Sequence, residues 1–236
     1  MRLRNIPEAK DIVKKSPYVI QDPFARKGRW KEARCAPLFV EIGMGKGSFI
    51  MELASRHPEN EYLGVERYES VLFRAAEKME GKAPQDPAGK LLFEENTREE
   101  FEAPKNLHFL RNDAKELPDI FSEDEVDGIY LNFSDPWPKA RHSKRRLTSR
   151  EFLHIYEKFL KDGGVLEFKT DNMDLFDFSL EEIREAENWE LVSYTYDLHH
   201  DPAMNEGNIM TEYERKFSAL GKRIGKLIAV HHKGGK

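Results

Sequence analysis

The sequence predicts an α/β fold, a mostly parallel central sheet with helices on both faces. Two observations carry that expectation. Short apolar strand-like runs alternate with segments of helical period, and a glycine-rich turn joins the first run to the first helix. The 236 residues suit one large domain with terminal extensions, and 39% hydrophobic with 34% charged residues reads as soluble and globular.

Residues 1–36 hold Pro7, Pro17 and Pro23 without a sustained period, so a basic N-terminal extension with short turns is expected. LFVEIG (38–43) is a buried-strand run ended by glycine. Phe49, Ile50 and Leu53 then give helical spacing over 46–56. EYLGVE (61–66) is a second strand, followed by a helix over 68–79. NLHFLRND (106–113) and VDGIYLNF (126–133) are the third and fourth strands. A helix over 148–161 is expected to stop at Gly163-Gly164, before a fifth strand, GVLEFKTD (164–171), and a helix over 173–187. WELVSYTYDL (189–198) and TEYERKFS (211–218) are expected as the last strands, with residues 221–236 a basic tail. Residues 80–105, rich in Pro, Gly and acids, interrupt the rhythm and are expected to be a surface insertion in a domain spanning 37–220.

Cys35 is the only cysteine, which excludes an internal disulfide and a cysteine zinc cluster. No apolar run approaches a spanning length and the first 20 residues lack a secretion-signal pattern, so a cytoplasmic enzyme is expected, with no membrane partner. The net charge of −5 is unevenly spread. Residues 1–34 carry ten Lys/Arg against four acids, and after Glu214 there are seven Lys/Arg and no acid. Five cations crowd into 139–146. Such asymmetry points to a local polyanion site or to solvated faces.

EIGMGKGSF places Gly43, Gly45 and Gly47 between strand and helix, where the backbone turns sharply and approaches a ligand closely. A dinucleotide wants G-x-G-x-x-G/A, and Ser48 fills the sixth position here. Glu41, two residues before the first glycine, would repel a pyrophosphate but attract a ligand carrying an ammonium and a sulfonium. Glu66, at the end of the second strand, suits ribose hydroxyls. S-adenosylmethionine has both cations and no phosphate, so a methyl donor is the favoured ligand. Asn112 and Asp113 end the third strand, where they face the same crevice and the adenine edge; a helix cap is the competing role for Asp113.

NFSDPWP (132–138) ends the fourth strand and puts Asp135 beside the expected methyl group. Pro136 and Pro138 stiffen the loop around Trp137, which packs the loop or stacks on a base. The stretch is reminiscent of the (D/N)-P-P-(Y/F/W) loop of enzymes that methylate base amino groups, with Trp137 in place of the second proline.

Over roughly residues 36–224 the chain resembles the bacterial tRNA (guanine-N7-)-methyltransferases. The carriers are NFSDPWPKARHSKRR (132–146), FKTDN (168–172) and NIMTEYERKF (208–217). Ser134 departs from the family's usual proline, and the 80–105 insertion is longer than the family pattern leads one to expect. The resemblance implies a Rossmann-like class I S-adenosylmethionine-dependent fold and methyl transfer to guanine 46 in the variable loop of tRNA. It implies that Glu41, Glu66, Asp113 and Asp135 contact the donor, with Gly43, Gly45, Gly47, Asn112 and Ala114 beside them and Asp135 catalytic. Lys139, Asp171, Thr211, Glu212, Tyr213 and Glu214 match its substrate contacts. Arg141, His142, Ser143, Lys144, Arg145 and Arg146 match its RNA-interaction segment.

The chemistry of the residues agrees. Guanine N7 is a bare acceptor, so alignment matters more than proton removal, and Asp135 is expected to orient rather than to act as an obligatory base. Asp171 or Glu214 would accept from the guanine N1–H and N2 edge. His199-His200-Asp201 and His231-His232 lack metal-ligand spacing, and N7 methylation needs no metal. Two other readings stay open: methylation of a base amino group in DNA or another RNA, and a non-catalytic RNA-binding protein on the same fold. Oligomeric state is left as monomer or homodimer.

Overall fold

Strands β1 (Leu38–Ile42), β2 (Glu61–Val65), β3 (Leu107–Leu110), β4 (Val126–Asn132), β5 (Leu160–Thr170), β6 (Trp189–Thr195) and β7 (Gly225–His231) form one sheet, in the order β3-β2-β1-β4-β5-β7-β6. The computed structural model describes residues 6–32, 35–81 and 102–235. The strands from β3 to β5 pair in parallel, while β7 runs antiparallel to both β5 and β6.

Alternation along the strands divides the core in two, because successive side chains point to opposite faces. Leu38, Val40, Ile42, Leu63, Val65, Ile129 and Leu131 join one cluster, with residues of helices α4 (Leu117–Ile120), α5 (Arg150–Tyr156) and α6 (Met173–Glu185). Tyr62, Leu107 and Phe109 join the other, with helices α1 (Ala9–Lys15), α2 (Ser48–Arg56) and α3 (Glu69–Met79). A parallel sheet needs such cover on both faces.

Two short helices complete the C-terminal third, α7 (Pro202–Asn205) and α8 (Glu212–Ser218). The second corrects the expectation of a strand over 211–218. Thr211 accepts the backbone N–H of Glu214 at 2.9 Å, so the T-x-x-E spacing is a helix start, not the beginning of an alternating run. The seventh strand lies in residues 221–236, expected as a tail, and Leu227 and Ala229 are fully buried there. The N-terminal extension also packs into the fold. Ala9 and Val13 of α1 are buried, Val19 bridges to Phe109, and Glu125 accepts the Gly28 and Trp30 N–H groups at 3.0 and 2.7 Å. The helix expected over 148–161 ends at Tyr156, and Gly163-Gly164 lie inside β5, where its pairing with β4 shifts register. Of the expected insertion at 80–105, residues 82–101 lie outside the described residues.

The strand order reverses between β1 and β4, and in such sheets ligands bind beyond the carboxyl ends of the strands at that point. The glycine turn and the NFSDPWP loop both leave from there.

Candidate active site

β1 delivers Glu41 to the reversal point and buries it, with 2% exposure. Tyr130 is its register partner on β4, so Asn132, two residues on, shares its face and donates to Glu41 Oε1 at 2.9 Å. Glu41 Oε2 is buried without a hydrogen-bond partner. Burial pushes the carboxyl up to about 8, against the Asn132 hydrogen bond and the Lys169 charge, which pull it down.

The glycine turn is strung from the next carboxylate. Glu66 Oε2 accepts the Gly45 N–H at 3.1 Å and Oε1 accepts that of Tyr68 at 2.9 Å. Burial raises its pKa above the usual carboxylate range. Gly45 has φ +59° and open space where a Cβ would stand, so the turn leaves its ligand-facing side clear. Gly47, at φ +76°, would set a Cβ 3.1 Å from Met51 and 3.3 Å from Ala75, which fixes how closely α2 packs. Gly43 shares the left-handed conformation.

Asn112, Asp113 and Ala114 follow β3 at the rim. Asp113 Oδ1 caps the next turn by accepting the Lys115 N–H at 3.1 Å, and Oδ2 lies 3.2 Å from Arg67. Glu116 returns the cap, accepting from the Asp113 N–H and from Asn112 Nδ2. The capping role is therefore real, and both Asp113 oxygens are engaged.

Beyond β4, Phe133 and Trp137 hold positive φ, 52° and 42°, a conformation that costs a non-glycine residue about 1–3 kcal/mol and clusters at functional sites. Asp135 between them is exposed and makes no hydrogen bond or ion pair among the described residues, although its charge reaches Glu66. The charge of Asp135 thus reaches Glu66 and that of Glu66 reaches Glu41, which sets three carboxylates around one crevice. Such a set, with one buried oxygen unpartnered, fits a ligand with two cationic centres and no phosphate.

The basic run turns through a 3-10 segment, Ala140–Arg145. Lys139 and Arg141 are exposed, and Arg141 Nε lies 3.4 Å from His142. Lys144 is 79% exposed beside Glu151, and Ser143 lines a shallow recess with it. Arg145 lies over the Trp137 indole at 4.9 Å, with His142 edge-on to the same ring. Arg146 instead points inward.

Helix α8 packs against α2, α3 and the end of β5. Glu212 accepts from Ser48 Oγ at 2.7 Å and Lys78 at 2.6 Å, and these groups with Lys46 hold its carboxyl down at about 2 despite partial burial. Tyr213 packs at a tilt against Phe133 and Phe217 and donates to Asp171, which also takes Lys222 at 2.8 Å. Glu214 corrects its expected role: it is 0% exposed, with Oε2 on Lys169 at 2.7 Å and Oε1 on Asn208 at 2.9 Å. No lone pair of it is offered to a base edge. Sequence reasoning missed Asn132, Lys169, Lys78 and Ser48. Asn132, Lys169 and Ser48 lay inside quoted motifs, but nothing local in the sequence signals Lys78.

Residues 35–227 match the family described as "Putative methyltransferase". A tRNA (guanine-N(7)-)-methyltransferase of Lachnoclostridium phytofermentans is 51% identical over 99% of this chain and 100% of its own length. One from a Geobacillus species is 46% identical over 95% of this chain and 93% of its own. Among solved structures, the 16S rRNA methyltransferase KamB shares the fold at TM-score 0.59 and 16% identity, covering 87% of this chain and 94% of that one. With near-complete mutual coverage at such identity, the chain belongs to the tRNA (guanine-N(7)-)-methyltransferase family.

Proposed function

We propose that this protein transfers a methyl group from S-adenosylmethionine to N7 of guanine in tRNA, at position 46 of the variable loop, in the cytoplasm. The observation that carries this reading is the unpaired carboxylate of Asp135 at the lip of a crevice floored by Glu41 and Glu66, on a chain of this family. Glu41, Glu66 and the turn at Gly43, Gly45 and Gly47 would hold the donor, with Asn112, Asp113 and Ala114 along its rim. The donor supplies a methyl group on a cationic sulfur.

The remaining steps belong to the chain. N7 offers a lone pair and carries no proton, so Asp135 orients reactants and need not remove one. The stiff, partly strained loop holds that carboxylate in one place. Asp171 sits under Tyr213 and Lys222, facing the substrate side with Lys139 and Thr211, while Glu212 fixes α8 against α2. Arg141, His142, Ser143, Lys144 and Arg145 offer cations and donors to phosphates.

Replacing the guanines of an unmodified tRNA transcript with 7-deazaguanine removes the acceptor atom and keeps the Watson–Crick edge. Methyl transfer should fall to background while the transcript still competes for binding. Transfer at the normal rate to the 7-deaza transcript would refute N7 as the target.

A further inference from the structure

Arg146 closes the basic run in the sequence, yet its side chain does not join the cations before it. Nε donates to the Pro136 carbonyl at 3.0 Å and an Nη donates to the Trp137 carbonyl at 3.2 Å. The guanidinium lies over the Phe178 ring of α6 at 4.3 Å. No carboxylate pairs with it among the described residues. Its own backbone is anchored on both sides, by the Arg146 N–H to the Ser143 carbonyl at 2.9 Å and the Ser149 N–H to the Arg146 carbonyl at 3.0 Å.

The loop needs such a partner. Pro136 and Pro138 lack N–H groups, so the segment has lost two of the donors with which a turn usually closes on its own carbonyls. Trp137 between them sits at φ 42°, a conformation that persists only when its surroundings enforce it. A planar guanidinium presents a fixed fork of donors, which matches two successive carbonyls where a lysine would reach one. Phe178 gives that plane an apolar floor and limits its movement.

We infer that Arg146 is a positioning residue for the reaction: it clamps the Pro136 and Trp137 carbonyls and so fixes where Asp135 stands, and it does not contact RNA phosphate. Its neighbours divide the labour. Lys144 and Arg145 face outward and serve the polyanion, and Arg146 holds the loop they follow. The inference rests on the methyl-transfer reading above.

Arg146→Ala, Arg146→Lys and the double variant Lys144→Ala/Arg145→Ala are compared with the unaltered protein for methyl transfer to tRNA and for tRNA binding across a salt series. Activity of the unaltered protein is scored first, since its failure would count against the proposed function and not against the clamp. Arg146→Ala should lose about 10- to 100-fold in kcat, as expected for an ångström-scale misplacement of a reacting group. Its tRNA Kd should stay within about twofold and its salt slope unchanged. Added guanidinium at millimolar concentration should restore part of kcat. The double variant should weaken tRNA binding, with a salt slope shallower by roughly 0.7–0.9 per cation. Should Arg146→Ala fold poorly by thermal melting, Arg146→Lys keeps the charge and one donor, and should lose kcat at unchanged salt slope. A flattened salt slope in Arg146→Ala, or full activity in Arg146→Lys and Arg146→Ala, would overturn the clamp.

Discussion

Glu41 holds its proton about three and a half decades past the ordinary value, near 8 rather than 4.5, because burial removes more water than Asn132, the Lys169 charge and the Ile50 backbone N–H replace. In an unfolded chain the same group ionises near 4.5. Folding therefore takes up a proton between those values, so stability measured without donor should fall as pH rises from about 4.5 to about 8. A cationic ligand favours the ionised form, and binding at pH 7 should release close to one proton. Calorimetric titration with S-adenosylmethionine in buffers of differing ionisation enthalpy checks this. Glu41→Gln should abolish the release and weaken the donor's Kd; unchanged release would transfer the role to another group. Asn132 was the unread half of this pair, since its partnership depends on β1 and β4 being neighbours.

At the level of elements, the expectations failed at α8 and β7. TEYERKFS carries its two aromatics, Tyr213 and Phe217, four residues apart, which is helical spacing and not strand alternation. The Thr211 cap and the contacts of Glu212, Tyr213 and Glu214 with three different elements make it a helix. The strand GKLIAVH sat behind a basic stretch and was absorbed into the tail by its charge. Between them lies the buried Lys169–Glu214 pair, joined by Asn208 and the Ile209 carbonyl at 2.8 Å. Removing one partner of such a pair leaves an uncompensated buried charge. Lys169→Met should cost about 3–5 kcal/mol in urea unfolding. Lys169→Met/Glu214→Gln should recover part of that, and a cost under about 1 kcal/mol for the single change would mean that Glu214 finds another partner. Because Glu214 sits in α8, activity should fall with stability in the single variant.

For the whole molecule, the parallel half of the sheet and the switch point were legible in the sequence. Each βα unit carries its own period, and glycine marks the turn. Less legible was everything that depends on distant segments. Glu125 and Asp127 pin the N-terminal segment through Gly28, Trp30 and Lys31, and Asp127 also accepts the Leu38 N–H at the start of β1. Those contacts turn an extension without periodicity into part of the fold. The site divides in the same way. Glu41, Glu66 and Asp135 were singled out from local motifs and gather at the switch point, whereas the inward turn of Arg146 and the burial of Glu214 required the packing of α6 and α8. Net charge was the poorest guide, because an acidic total coexists with a cationic edge beside the 132–138 loop. Incubating the protein with methyl-labelled S-adenosylmethionine and unmodified tRNA, then digesting the RNA to nucleosides, puts the assignment to its most direct test. Label should appear in N7-methylguanosine alone; label in a base methylated on its amino group, or in no nucleoside at all, would contradict it.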